Sequence, residues 1–223
     1  MQRRLTIEQS AEDFKAIILE AVQKSNELEC AVYLQITRGV AVRQHLFPAA
    51  PVSITMTVRP VHAIENEARD KGKKAIFHED ERWANCYIKS LNLLPNILAK
   101  QTAHEAGCFE AILVRDGYIT EGTSSNVYMV KDGMVYTTPL SKQILSGITR
   151  MAVKKVTESL GIPFIEKKFT PEELLQADEV FITSTTSEIL PIVNVDGKSI
   201  GKGNPGKLTM EIYHKFKGFI LAD

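Results

Sequence analysis

Lys89 sits in the run Tyr87-Ile88-Lys89-Ser90-Leu91-Asn92-Leu93-Leu94, a lysine among apolar neighbours just ahead of a predicted helix. Burial disfavours an ammonium, and a desolvated lysine offers a free amine that can form an imine with an aldehyde. The commoner arrangement lays the stem on apolar surface with the head in water, so placement alone leaves both readings open. A second feature imitates a phosphate cradle: Gly201-Lys202-Gly203-Asn204-Pro205-Gly206-Lys207 fits the G-x-x-x-x-G-K spacing. Its next residue is Leu208, where magnesium would need a hydroxyl, and Pro205 removes a backbone donor. That loop reads as a solvated turn before the last helix. His62, His78, His104 and His214 lack a nucleophile context such as G-x-S-x-G and read as surface or helper histidines. His45 differs because Arg43 stands two residues away. Cys30, Cys86 and Cys108 form no C-x-x-C pair. They read as reduced thiols of a cytoplasmic protein, with no disulfide and no metal site.

These groups need elements to position them. Residues 11–25 carry Phe14, Ile17, Ile18, Ala21 and Val22 at helical spacing, and Ser10 with Asp13 makes a capping-box pattern. Runs 30–37 and 52–58 are strand-like, the second bracketed by Pro51 and Pro60, because proline cannot continue a central ladder. Arg43 to Phe47 is expected in or beside a strand. The segment 60–73 is polar without strong periodicity and is expected to cross between two domains. Residues 75–78 read as a strand, and 93–106 as a helix closed by Gly107 at its C′ position. Strand-like runs 109–114, 127–130 and 189–195 each lead into Asp-Gly, the strongest short hairpin signal. Helices are predicted over 148–160, 171–177 and 205–219. The pattern is α+β: a helix and strands first, then a larger mixed sheet with helices outside it.

Size and charge exclude several classes. At about 150 residues per domain, the 223 residues make an uneven one-and-a-half domains. The 27 basic and 27 acidic residues cancel, and no basic stripe faces a nucleic-acid backbone, so no nucleic-acid partner is expected. No apolar run reaches the ~18 residues of a membrane span, and no membrane partner is expected. The first residues turn polar at once, unlike a signal peptide.

The Tyr87–Asn92 run resembles the lysine segment of the fold-type IV pyridoxal-phosphate enzymes. Two further blocks resemble that family in order and spacing. One runs Glu121-Gly122-Thr123-Ser124-Ser125-Asn126-Val127-Tyr128, through Val135-Tyr136-Thr137, to Leu145-Ser146-Gly147-Ile148-Thr149-Arg150. The other is Phe181-Ile182-Thr183-Ser184-Thr185-Thr186-Ser187-Glu188. The family includes D-amino acid aminotransferases, branched-chain aminotransferases and aminodeoxychorismate lyases, and the likeness extends over essentially the whole chain. It implies a two-domain α+β fold. Residues 1–60 would be the remainder of a small N-terminal α/β domain, 61–65 the connection, and 66–223 a large cofactor-binding domain.

The resemblance also implies roles. Lys89 would hold pyridoxal 5'-phosphate as a Schiff base and, once displaced, move a proton as general acid and base. Glu121 would partner the pyridine nitrogen and keep the ring protonated. Gly147, Ile148 and Thr149, at a predicted helix start, and Ser184 and Thr185, after a strand, would bind the phosphate. Leu145 would support the ring face. Arg43 and His45, with Phe47-Pro48 following, resemble the carboxylate trap of the D-amino acid aminotransferases, in which a guanidinium makes paired hydrogen bonds to the substrate carboxylate. A homodimer is expected by the same resemblance.

The family's opening strands and helix have no counterpart in these residues. That stretch carries an H-x-x-R-L arginine for the phosphate and a tyrosine of the trap; Arg4 lies too close to helix 11–25 to take the arginine's place. An open sheet edge and an uncovered apolar face are therefore expected in the small domain. The implied reaction is transamination between a D-amino acid such as D-alanine and a 2-oxo acid such as 2-oxoglutarate. Aminodeoxychorismate lyase, branched-chain aminotransferase, and a non-catalytic fragment acting through binding remain the alternatives.

Overall fold

A computed structural model of the chain describes residues 5–61, 64 and 66–220. Arg4, His62 and part of the expected 61–65 connection lie outside the described residues. The chain divides into two compact units, Met1–His62 and Ala63–Asp223.

The first unit begins with α1 (Ala11–Ser25). Ser10 caps it: its hydroxyl accepts from the Asp13 N–H at 3.1 Å, and the Asp13 carboxylate accepts from the Ser10 N–H at 2.8 Å. Strands β1 (Cys30–Thr37) and β2 (Ser53–Pro60) then pair antiparallel, from Cys30 opposite Pro60 to Thr37 opposite Ser53. Strand β2 runs to Pro60 itself, which a two-stranded sheet allows because each strand has an open edge for the missing N–H. No residue of α1, β1 or β2 is buried, and Leu19 and Tyr33 are exposed. The stretch from Arg43 to Phe47 lies in the loop between the strands rather than in one. There the Arg38 guanidinium stacks 3.6 Å above the Phe47 ring.

The second unit is built on one mixed sheet. In chain order its elements are α2 (Asn66–Lys71), β3 (Lys73–Glu79), α3 (Leu94–Glu105), β4 (Glu110–Arg115), β5 (Tyr118–Gly122), β6 (Asn126–Lys131) and β7 (Met134–Thr137). They continue with α4 (Ile148–Ser159), β8 (Phe164–Glu166), α5 (Pro171–Leu175), β9 (Glu179–Ser184), β10 (Glu188–Val195), β11 (Lys198–Ser199) and α6 (Lys207–Ile220). The strand order is β5-β4-β3-β10-β9-β6-β7-β8, with β11 paired to β10. The three Asp-Gly pairs turn the hairpins β4–β5, β6–β7 and β10–β11. Both residues of each pair have positive φ, such as 53° and 78° at Asp116-Gly117, which suits the right-handed twist of the flanking strands. Gly107, at φ 67°, ends α3 as expected.

Both faces of this sheet are buried, and the side chains alternate between them. Val127, Met129, Ile182 and Leu190 pack with Phe169 and Leu174 on one face. On the other, Tyr128, Val130, Phe181 and Ile189 meet Val153 and Val156 of α4 and Ile212 and Phe216 of α6. Helix α3 covers β4 through Ala99 and Ala103 against Ala111 and Leu113. Each large apolar side chain so buried contributes roughly 1.5–3 kcal/mol.

Helix α2 departs from the irregular crossover expected over 60–73. A six-residue polar helix has no amphipathic signal and is held by a tertiary anchor. Arg69 is buried; its guanidinium donates to the carbonyls of Ser187 and Ile189, pairs with Glu188, and lies 4.1 Å from the Tyr213 ring centroid.

Candidate active site

Strand β5 ends by burying a carboxylate. Glu121 is 5% exposed, and three donors hold it. Nη1 of Arg82 donates to its Oε1 at 2.5 Å, while Nδ2 of Asn126 and the N–H of Leu145 donate to Oε2 at 3.1 and 3.0 Å. An ionised carboxylate accepts at about four positions, so one on Oε1 is left for another donor. Burial pushes the Glu121 carboxyl up to about 6, against the opposing pull of Arg82.

Arg82 is fixed from the far side by the end of β3. Its Nε and Nη2 make the paired bonds to Asp80, both at 2.8 Å, and Nη2 also donates to Thr120 Oγ1 at 3.4 Å and to the Gln143 carbonyl at 3.1 Å. Arg115, from β4, donates to Asp80 Oδ1 at 3.0 Å and to the Arg82 carbonyl at 2.6 Å. Burial alone would raise Asp80; the Arg82 bonds and charge outweigh it and hold the carboxyl below its ordinary value. The burial cost of the two cations and two anions is offset because every charge meets its opposite.

Lys89 follows a turn at 84–87 and is exposed. The desolvated lysine that its apolar neighbours suggested is therefore not seen, because Leu91, Leu93 and Leu94 are themselves exposed. The stretch leading to it is pinned at Arg82 and again at Tyr87, whose N–H donates to the Lys142 carbonyl at 3.3 Å. Lys142 and Gln143 belong to the loop that continues to Leu145, so this one loop ties the lysine segment to Glu121.

The same loop ends at Gly147, the N-cap of α4, which has no side-chain cap and no acidic residue in its first turn. Ile148 is 68% exposed and Thr149 is buried. Asn126 adjoins Gly147 and is aligned with Thr183 across the β6–β9 pair, which brings Ser184 and Thr185 alongside the start of β6. Ser184 is half-buried and its hydroxyl accepts from the Ser187 N–H at 3.0 Å; Thr185 is exposed. Glu121, Leu145, Gly147 and the Ser184–Thr185 turn thus gather around Asn126. A carboxylate with one open acceptor position, an uncapped helix start and two hydroxyls fit a protonated ring nitrogen and a phosphate dianion, and so fit pyridoxal phosphate.

Helix α6 makes the opposite case. Glu179 of β9 accepts from the N–H groups of Leu208 and Thr209 at 3.0 and 2.7 Å and from Thr209 Oγ1 at 2.7 Å. A β-carbon at Gly206 would fall within 2.2 Å of that carboxylate. The protein's own anion thus fills the place where the glycine loop would have taken a phosphate.

Arg43 and His45 are exposed in the β1–β2 loop of the first unit. Sequence reasoning gave no role to Asp80, Arg82, Thr120 or Asn126. Asn126 stands inside the Glu121 block and could have been found there. Asp80 and Arg82 lie in the mixed-charge run Glu79-Asp80-Glu81-Arg82, whose pattern reads as a solvated surface.

Residues 2–195 match the family described as amino-transferase class IV. The D-alanine aminotransferase of Bacillus licheniformis is 46% identical over 215 residues, covering 96% of this chain and 76% of that protein. That of Staphylococcus epidermidis is 41% identical over 219 residues, covering 98% and 78%. Among solved structures, the Escherichia coli branched-chain amino acid aminotransferase superposes with TM-score 0.87 at 30% identity, covering 96% of this chain and 73% of that one. A second branched-chain amino acid aminotransferase, solved with pyridoxamine 5'-phosphate, gives 0.88 at 28% identity, covering 96% and 72%.

Proposed function

The chain belongs to the amino-transferase class IV family, and from that premise we propose that it moves the amino group of a D-amino acid, D-alanine foremost, onto a 2-oxo acid such as 2-oxoglutarate. It is a pyridoxal-phosphate-dependent aminotransferase of fold type IV. One observation carries the chemistry: the buried Glu121 carboxylate, held by three donors with one acceptor position left. The choice of D-alanine follows the two relatives of that name.

When bound, pyridoxal phosphate supplies an aldehyde carbon for amines and a ring that takes up the electron pair left as Cα loses its proton. Glu121 would hold a proton on the ring nitrogen, which that electron uptake needs. Gly147, Ile148 and Thr149 offer backbone N–H groups, and Ser184 and Thr185 offer hydroxyls, to the phosphate. Leu145, its own N–H fixed on Glu121, would support the ring face. Lys89 would hold the cofactor through Nζ, and its free amine would move the proton between the substrate Cα and the cofactor's aldehyde carbon. Arg43 and His45 would supply the hydrogen bonds of the carboxylate trap that the likeness to D-amino acid aminotransferases implies.

We place the enzyme in the cytoplasm, where the three free, half-buried cysteines stay reduced. No helix among the described residues is long and apolar enough to cross a membrane. Exposed Leu94, Ile97 and Leu98 on α3, with Leu91 and Leu93 ahead of it, form an apolar surface that fits a homodimer. Light scattering on the purified protein reads that state directly.

Product analysis tests the reaction. D-alanine with 2-oxoglutarate should yield pyruvate and D-glutamate. Turnover of L-leucine or aminodeoxychorismate with no turnover of D-alanine would move the protein to another branch of the family.

A further inference from the structure

Arg82 makes no approach to a substrate in the reading above, yet it is buried, bonded on every side, and joined to Glu121 by the shortest of the three bonds that carboxylate accepts. Two of its nitrogens are committed to Asp80, which leaves Nη1 aimed at Glu121. Arg115 and Thr120 in turn hold Asp80, through bonds of 3.0 and 2.8 Å. Arg82 therefore has one orientation, and its charge is shared between two carboxylates.

We propose that Arg82 is the positioning residue that keeps Glu121 ionised and aimed, and that Asp80 sets how much of the Arg82 charge Glu121 receives. The proposal rests on Glu121 being the partner of the cofactor's ring nitrogen. A neutral Glu121 would itself need to place a proton on Oε1 or Oε2 and could no longer stabilise a protonated ring. Burial drives Glu121 toward that neutral form, and the neighbouring guanidinium opposes it. Among the described residues, the other charged or titratable groups bearing on this carboxylate are Asp80, which acts against ionisation, Arg115 behind Asp80, and the thiol of Cys86, which burial keeps protonated. Asn126 and the Leu145 N–H are neutral donors and shape Oε2 without supplying charge. Arg82 thus supplies the only direct cationic contact to Glu121 among the described residues.

The two halves of the proposal predict shifts of opposite sign, which a loss of packing would not produce. The protonation midpoint of Glu121 can be read in the cofactor-free protein by carbon NMR of labelled glutamate, with Glu121→Gln assigning the signal. Arg82→Met should raise the midpoint by about one pH unit or more. Arg82→Lys should restore much of the difference, and Asp80→Asn should lower the midpoint below that of the parent. At pH 7, Arg82→Met should also weaken pyridoxal phosphate binding about tenfold, with the loss shrinking as pH rises. A midpoint unchanged in Arg82→Met, or raised in Asp80→Asn, overturns the proposal. Should Arg82→Met fail to fold, the sign of the Asp80→Asn shift decides alone. Midpoints that move as stated while pyridoxal phosphate affinity stays constant would uphold the charge relay and overturn Glu121 as the ring partner.

Discussion

A β-carbon on Gly147 would lie 2.5 Å from Oδ1 of Asn126. Asn126 cannot step aside freely, because its amide donates to Glu121 and to the Leu145 carbonyl. The close approach that excludes a side chain at Gly147 is also what leaves the first N–H groups of α4 bare. Gly147→Ala is expected to weaken pyridoxal phosphate binding about tenfold and to lower stability by roughly 1–3 kcal/mol, as overpacking does. Cofactor titration and urea unfolding read the two effects.

Glu121 makes stability depend on pH in an unusual direction. Folding raises its carboxyl from 4.5 to about 6, so the folded chain holds that proton more tightly than the unfolded one. Its contribution is therefore most favourable below pH 4.5 and falls by roughly 2 kcal/mol as pH rises to 6. Asp80 acts oppositely and lower, losing its contribution as pH falls below 3.8. Urea unfolding of the cofactor-free protein from pH 4.5 to 6.5 should show the parent losing that stability relative to Glu121→Gln. A constant difference across this range would contradict the burial of an ionisable Glu121.

The anion at α6 is structural. Glu179→Ala removes three hydrogen bonds from the helix start and is expected to cost roughly 1–3 kcal/mol. Nucleotide binding should be absent in both parent and variant. Affinity for ATP in the parent would contradict the placement of Glu179.

Arg43→Ala tests the carboxylate grip. KM for D-alanine should rise about tenfold to a hundredfold, the scale of a lost charge-assisted pair, while pyridoxal phosphate affinity is unchanged. Unaltered D-alanine kinetics would remove Arg43 from the site.

Much of this was legible in the residues because local chemistry decided it. Ser10 with Asp13 dictates the start of α1, Asp-Gly dictates three hairpins, and Gly107 dictates the end of α3. Helix α2 was not legible, since its anchor, Arg69, bonds to carbonyls more than a hundred residues away. Strand β2 outran its expected end because Pro60 sits in a two-stranded sheet, where an edge is always at hand. Glu121 and the residues proposed to bind the phosphate were legible only by family likeness, and Arg82 not at all. A buried arginine betrays itself through its partners, and Asp80, Thr120 and Glu121 meet it only once β3 and β5 are in place.

The proposed function turns on Lys89 holding the cofactor. Borohydride reduction of the pyridoxal-phosphate-loaded protein, followed by peptide mass mapping, tests it most directly. Loss of the visible cofactor absorbance and a stable phosphopyridoxyl adduct on Lys89, absent in Lys89→Ala, are expected. An adduct on another lysine, or one undiminished in Lys89→Ala, would contradict it.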